Sequence, residues 1–580
     1  MTLRVSRPLL PMCAAVLLAG CGEEALNSYA LGSGVGMSGA GTASRGNALW
    51  GASVVDLGNH KVAAAVTEDD LVRVVSLATS TSRRIQLPQG SRPTRIAATG
   101  DGDFVVLLRG SGQVATVRHG SVTRRDFACE EPRGLAWDDA RQETKVACAD
   151  GQLVTLSAAG RSAAPVGEEL RDVFVIDGTT WVTTFRGAEL LELDAEGQVV
   201  ARLRAPGFVT TRLAADGTTR ALTFTPRVAW RAVAQGRQVA MVHQVHLNDE
   251  VTTLTLTPGG GSTPATPPPY YGTGSTCGTS VVTSALTTFN LDSRTAVSTP
   301  VLGALPIDVT ADATTISLVT LGNEAVVVTP WGAKAPCLVG APARTPAPVG
   351  VGLVEGGVLV VGHDGRVVQP FWPETSAVVA PATAEPLDAS RAFFHRQSPS
   401  GVACASCHAE GHDDGHTWNF QGQVVRTQDL SGGLTDTAPF HWRGELRNLD
   451  AVLHSTFETR MGGTLDPKFS TLALGRWLDS LPTRPGAEGD VAKGEAVFQA
   501  SGCAGCHSGP RFTNNRTVDV GTGGAFQVPS LKGLRWRGPW MHDGCAKRLE
   551  DRFTPGCGGA AHGAVAPDDV PELVKYLQSL

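Results

Sequence analysis

The chain has 580 residues, and its 49 basic side chains against 55 acidic ones leave a net charge of −6. That balance argues against a nucleic-acid partner, which calls for a basic patch or stripe. At roughly 150 residues per domain the length holds two to four domains, and 68 glycines with 35 prolines suit turn-rich β architecture better than a helical bundle.

Arg4 and Arg7 precede an apolar run from Leu9 to Gly20 that is too short to span a bilayer as a mature helix, so residues 1–20 read as an export signal. The run ends in Leu18-Ala19-Gly20-Cys21, which resembles the lipobox of bacterial lipoproteins. The resemblance makes Cys21 the lipidated first residue of the mature chain; the alternative is an ordinary secretory signal with an incidental cysteine. Gly22, Glu23 and Glu24 follow, and without an Asp beside the lipid nothing argues for inner-membrane retention. The expected place is the bacterial cell envelope, lipid-anchored and facing the periplasm or the cell surface, on the outer membrane in preference to the inner. Membrane contact is expected through the lipid alone.

Residues 21–47, rich in Gly, Ser and Ala, read as a flexible tether. From 48 to 385 short apolar runs such as Lys61–Val66, Phe104–Leu108, Val173–Ile176 and Val358–Val361 alternate with Gly-Asp turns at Gly100-Asp101-Gly102, Ala149-Asp150-Gly151, Ala215-Asp216-Gly217 and His363-Asp364-Gly365. Strand-turn units at roughly 40 to 50 residues per blade predict an all-β domain that is an irregular β-propeller of about seven blades; tandem β-sandwiches are the rival. Pro258–Cys277, with its Gly and Pro runs, is expected to be an exposed loop. The ligand of such a propeller is unknown.

From about Leu387 helical periods appear at Ser390–His395, Phe469–Leu481 and Ala492–Ala500, with a closing helix over Pro571–Leu580. This mostly α region holds two Cys-x-x-Cys-His runs, Cys404-Cys407-His408 and Cys503-Cys506-His507, the pattern that attaches c-type haem. Zinc sites and redox pairs also use Cys-x-x-Cys, but the adjacent histidine, the second copy and the export signal favour haem. The prediction is two covalently bound haem c, one in a first cytochrome c unit over 386–485 and one in a second over 486–580. Of twelve cysteines, six remain after the signal, the lipid and the two motifs. In an oxidising compartment they pair locally as Cys129-Cys148, Cys277-Cys337 and Cys545-Cys557; buried free thiols are the alternative.

The two units repeat each other. His408 and Gly444 are spaced almost as His507 and Gly544 are, Thr427-Gln428-Asp429-Leu430 parallels Val528-Pro529-Ser530-Leu531, and Ala438–Gly444 parallels Gly538–Gly544. With Pro529-Ser530-Leu531 and Trp540-Met541-His542-Asp543-Gly544, the region resembles the di-haem cytochrome c peroxidase family, which includes the MauG-like oxidases. The resemblance implies electron transfer and reduction of hydrogen peroxide with a small redox protein as donor. Other readings are MauG-like oxidation of a protein substrate, or a propeller that binds a partner while the haems serve as conduit or sensor.

Beyond the paired glycines, Met461 and His562 fall at equivalent places, so the irons are assigned His408/Met461 and His507/His562; Met461 as a core filler is the alternative. Competing distal candidates are His412, His416, His441 and His454 in the first unit, and Met541 and His542 in the second. The family's inter-haem tryptophan corresponds to Trp442, an electron relay by that resemblance, although Arg443 replaces the family's aspartate; Trp418 is second choice. Glu445 and Glu410 are candidates for the acid–base group. The family's calcium site is not legible.

Overall fold

The computed structural model describes residues 51–167, 169–213, 219–251, 271, 276–354, 357–370, 377–380 and 387–580. The signal, Cys21, the tether, the Ala215-Asp216-Gly217 turn and most of Pro258–Cys277 lie outside them. Seven antiparallel sheets follow one another along the described N-terminal region and form a seven-bladed β-propeller. Their first strands include Val54–Gly58, Pro93–Gly100, Pro132–Asp138, Leu170–Ile176, Pro306–Ala311 and Pro348–Val354.

The blades show why this sequence makes them. Second strands such as Asp103–Leu108 are apolar almost throughout because both faces are covered. Fourth strands such as Thr81–Gln86 and Ser121–Phe127 are polar and exposed, which blunts the outer edge against pairing with another chain. Two-residue loops at Asp101-Gly102, His119-Gly120 and Asp177-Gly178 place both residues at positive φ, the type I′ geometry that matches strand twist. The ring closes where the Ala52 amide donates to Val349 O at 2.7 Å. A side chain at Gly350 would stand 2.9 Å from Ala52 O, so only glycine permits that approach.

Blade five departs from the pattern. It has five strands, from Phe208–Leu213 to Thr295–Val301, and contains a long hairpin of Thr219–Gln235 with Gln238–Leu247. One end of this hairpin reaches the C-terminal region, where the Val251 amide donates to Asn419 O at 2.8 Å.

The smaller C-terminal region is mostly helical, in short pieces: Ala389–His395, Cys404–Cys407, Thr471–Asp479, Ala492–Ala500 and Val570–Ser579. Phe393, Phe394, Leu453, Phe457 and Trp477 of the first unit share one apolar core with the propeller, whereas Phe498, Leu549, Leu573 and Tyr576 form a separate core in the second. Disulfides join Cys129 to Cys148, Cys277 to Cys337 and Cys545 to Cys557. Among the described residues, no helix is long and apolar enough to cross a membrane.

Candidate functional site

The two Cys-x-x-Cys-His runs adopt matching turns. Cys404–Cys407 is a single helical turn closed by the His408 amide donating to Cys404 O at 3.0 Å; the Cys503 turn is closed by the His507 amide donating to Cys503 O at 2.9 Å. Both turns therefore hold two free thiols on one side and project a histidine next to them. His408 Nδ1 lies 3.2 Å from His412 O, and His507 Nδ1 lies 3.0 Å from Phe512 O. A carbonyl can only accept, so each Nδ1 carries the proton and each Nε2 keeps a bare lone pair. Burial pulls both imidazoles below their usual pKa, which keeps them neutral and able to bind a metal. Burial pushes the Cys404 thiol up to about 12 and Cys407 well above its usual value. Among the described residues, no group of three or more His, Cys, Asp or Glu is placed to hold a metal ion by itself.

One cavity of about 670 Å³ runs between the motifs and is lined by Cys404, Cys407, His408 and Met461 from one unit and by Cys503, Cys506, His507 and His562 from the other. Its wall is largely apolar, with Leu434, Leu453, Phe457, Leu531 and Leu573. The His507 and His562 ring centroids stand 6.3 Å apart, with planes inclined by 38°. Both rings line the cavity, so His507 and His562 would be the residues to hold one metal ion between them. Burial, with Arg552 nearby, pulls His562 down to about 3, and its Nδ1 has no hydrogen-bond partner among the described residues. Met461 is buried at the end of the π-helical turn Leu453–Arg460. The site thus offers two thiol pairs, two prepared imidazoles and an apolar slot, and a covalently attached porphyrin fits that donor set.

The units meet about an approximate two-fold relation. Gln527 N–H donates to Trp442 O and Arg426 N–H donates to His542 O, both at 2.7 Å. Hydroxyls of Thr517 and Thr417 face Gly444 and Gly544 in the same reciprocal way. Trp442 and His542 occupy matching positions in the repeat, and their rings meet edge-to-face at 6.3 Å in the cavity wall. Trp442 Nε1 donates to Arg426 O at 2.7 Å; His542 is stacked on Phe526 at 3.9 Å.

Several competing candidates lie elsewhere. His454 is exposed on its helix beside Glu458. His412 pairs with Asp429 at 3.2 Å, and His416 is packed against His246 and Trp418; none of these three histidines lines the cavity. His441 and Met541 do line it, and His441 Nδ1 donates to Glu445 Oε1 at 2.9 Å. Trp418 is buried in the wall with Nε1 donating to Thr427 Oγ1 at 3.0 Å.

Glu410 is not an acid–base group facing the cavity. At positive φ just past His408, it enters the propeller, where Arg109 donates two hydrogen bonds of 2.7 and 2.6 Å and Arg171 a third of 2.7 Å. Burial would raise this carboxyl, but Arg109 and Arg171 hold it well below the usual range. Glu169 sits alongside with Arg133 at 2.8 Å and with Arg186 and Arg484 at 3.2 Å; against the effect of burial they hold it at about 2. Arg186 also reaches Asp413 at 3.3 Å and donates to Gly538 O at 2.6 Å and Trp536 O at 2.9 Å. One propeller arginine thereby ties both units together. Glycine-rich turns and periodic apolar runs carry no trace of this clamp, whose partners lie 239 and 301 residues apart.

No known family's profile matches the chain. A stretch of 81 residues is 37% identical to the methylamine utilization protein MauG of Methylorubrum extorquens, covering 10% of this chain and 23% of that protein. Among solved structures, Kuenenia stuttgartiensis hydrazine synthase aligns over 59% of this chain and 99% of that one at 14% identity and a TM-score of 0.41. Virginiamycin B lyase from Staphylococcus aureus aligns over 56% and 94% at 9% identity and a TM-score of 0.35. The dihydro-heme d1 dehydrogenase NirN aligns over 55% and 63% at 13% identity and a TM-score of 0.33. Likenesses this distant carry no argument about activity.

Proposed function

We propose that the chain is a di-haem c-type cytochrome that moves electrons and reduces hydrogen peroxide with a small redox protein as donor. The observation that carries it is the commitment of both His408 Nδ1 and His507 Nδ1 to backbone carbonyls, which leaves two Nε2 lone pairs beside two thiol pairs in one cavity. Cys404 and Cys407, and Cys503 and Cys506, would carry the porphyrins; His408 with Met461 and His507 with His562 would hold the irons, and His562 would have to give way for peroxide to be reduced. Each haem, when bound, supplies an iron whose reduction potential rises with a thioether ligand and stays lower with a second imidazole. Trp442, in the wall between the units, serves as relay in this reading, and the His441–Glu445 pair is the acid–base candidate left in the cavity wall. The short sequence similarity to MauG supports a di-haem region of this general type.

The envelope location and the lipid on Cys21 belong to the same proposal. Three disulfides support an oxidising compartment. The rival reading, a propeller that captures a partner, loses one face of the propeller, because Glu410 is already seated among Arg109, Arg133 and Arg171. A steady-state peroxidase assay on partially reduced protein tests the activity. Turnover with a reduced small cytochrome is expected; no turnover, with both irons six-coordinate in every redox state, would leave electron transfer alone.

A further inference from the structure

Between the blade-five hairpin and the first unit lies a closed set of titratable groups that the electron-transfer reading does not use. Asp414 and His246 are fully buried and His416 nearly so. His246 Nδ1 stands 3.4 Å from Asp414 Oδ2, and the His246 ring meets His416 edge-on at 5.1 Å and stacks on Trp418 at 5.5 Å. His416 Nε2 donates to Leu247 O at 3.2 Å, so its Nδ1 is free to accept from Arg227 Nε at 3.4 Å. Asp414 Oδ1 accepts from the His416 amide at 2.8 Å. Its Oδ2 and both nitrogens of His246 have no hydrogen-bond partner among the described residues.

Such an arrangement is poised to exchange one proton. A buried carboxylate with an unsatisfied oxygen is costly, and protonation relieves that cost. Burial pushes Asp414 up to about 7, with the His416 amide and the Thr427 hydroxyl opposing; burial takes His416 down to about 3 and His246 well below its usual value. Asp414 is therefore the member that titrates near neutrality. Facing it are Asp413 and His416 from its own loop, His246 and Arg227 from blade five, Arg186 from the propeller and Thr427 from the first unit's hairpin. Two observations connect it to the first haem site. Trp418, stacked on His246 at 5.5 Å, lines the cavity, and so does Thr427, whose hydroxyl accepts from Trp418 Nε1 at 3.0 Å.

We infer that Asp414, with His246 beside it, is a proton-uptake site coupled to the first haem site. When an electron from a donor arrives at His408's side of the cavity, one positive charge is lost near the carboxylate and its hold on a proton strengthens. Asp414 then takes one proton from solvent, forming an O–H bond, and returns it when the electron leaves. The inference rests on the reading that a haem is attached at Cys404 and Cys407.

Redox titration of the purified holo-protein from mildly acidic to mildly alkaline pH tests it, with electron paramagnetic resonance of frozen aliquots separating the two irons. The first site's potential should fall as pH rises through neutrality, by no more than about 59 mV per tenfold change in proton concentration for one electron and one proton. Asp414→Asn should flatten that slope and leave the second site's profile unchanged. His246→Gln, which keeps the carboxylate, should move the pH at which the slope begins. A coloured, folded Asp414→Asn with the wild-type slope would overturn the inference; should that variant not fold, an unmoved profile in His246→Gln would do the same. Protein without a Soret band would instead overturn the haem reading on which this one stands.

Discussion

Replacing Glu410 by glutamine should loosen the C-terminal region from the propeller. The wild-type carboxylate accepts three hydrogen bonds of 2.6 to 2.7 Å from Arg109 and Arg171, with Arg133 at 3.9 Å, and the four side chains are between 0% and 5% exposed. Glutamine keeps the shape but turns one acceptor into a donor facing a guanidinium, and it takes from Arg109 and Arg171 the carboxylate that accepts their hydrogen bonds. An exposed pair of this kind would be worth less than about 1 kcal/mol. Breaking a buried one costs about 3–5 kcal/mol because the partner charges stay behind, or two to four orders of magnitude in an equilibrium constant at about 1.4 kcal/mol per tenfold. Denaturant titration followed by tryptophan fluorescence and by Soret absorbance should show coincident transitions in the wild type. In Glu410→Gln the Soret transition should come first, at a much lower midpoint. Coincident transitions with a loss under about 1 kcal/mol would refute the clamp.

Acid should act on the same contacts: Glu169, held at about 2 against an ordinary 4.5, contributes stability that is fully present above its unfolded value and is lost as pH falls from 4.5 toward 2. The Soret midpoint in denaturant should therefore drop over that window, and Glu169→Gln should remove part of the drop. Met461→Ala and His562→Ala should each alter one of two low-spin resonance signals; an unchanged spectrum in either variant would remove that residue from the ligand set. Trp442→Phe should cost about 1 kcal/mol for the lost Nε1 bond to Arg426 O and leave both signals in place, while slowing electron equilibration between the sites after rapid partial reduction. An unchanged rate would make it a packing residue.

Local chemistry made much of this molecule legible. Repeated apolar runs and Asp-Gly turns such as Asp101-Gly102 suffice for the propeller because each blade is built from consecutive strands. The matched spacing of His408 with Gly444 and of His507 with Gly544 foretells units whose Trp442 and His542 turns meet reciprocally. What escaped the sequence is long-range. Glu410 looks like one more acid near a haem motif until Arg109 and Arg171 arrive from distant blades. His246 and Asp414 carry no pattern that joins them, because a hairpin end and a loop come together only in the folded ring. His412 could be ranked as a ligand only after its acidic partner Asp429, 17 residues further on, was seen.

Haem stoichiometry tests the central claim most directly. Protein matured with its own export signal in a host able to attach c-type haem, then denatured and measured as the pyridine haemochrome against chain concentration, should retain two haems per chain. Cys404→Ala with Cys407→Ala should retain one, as should Cys503→Ala with Cys506→Ala. Colourless wild-type protein, or haem that is fully extracted into acidified organic solvent, would contradict covalent attachment at these cysteines and the account built on it.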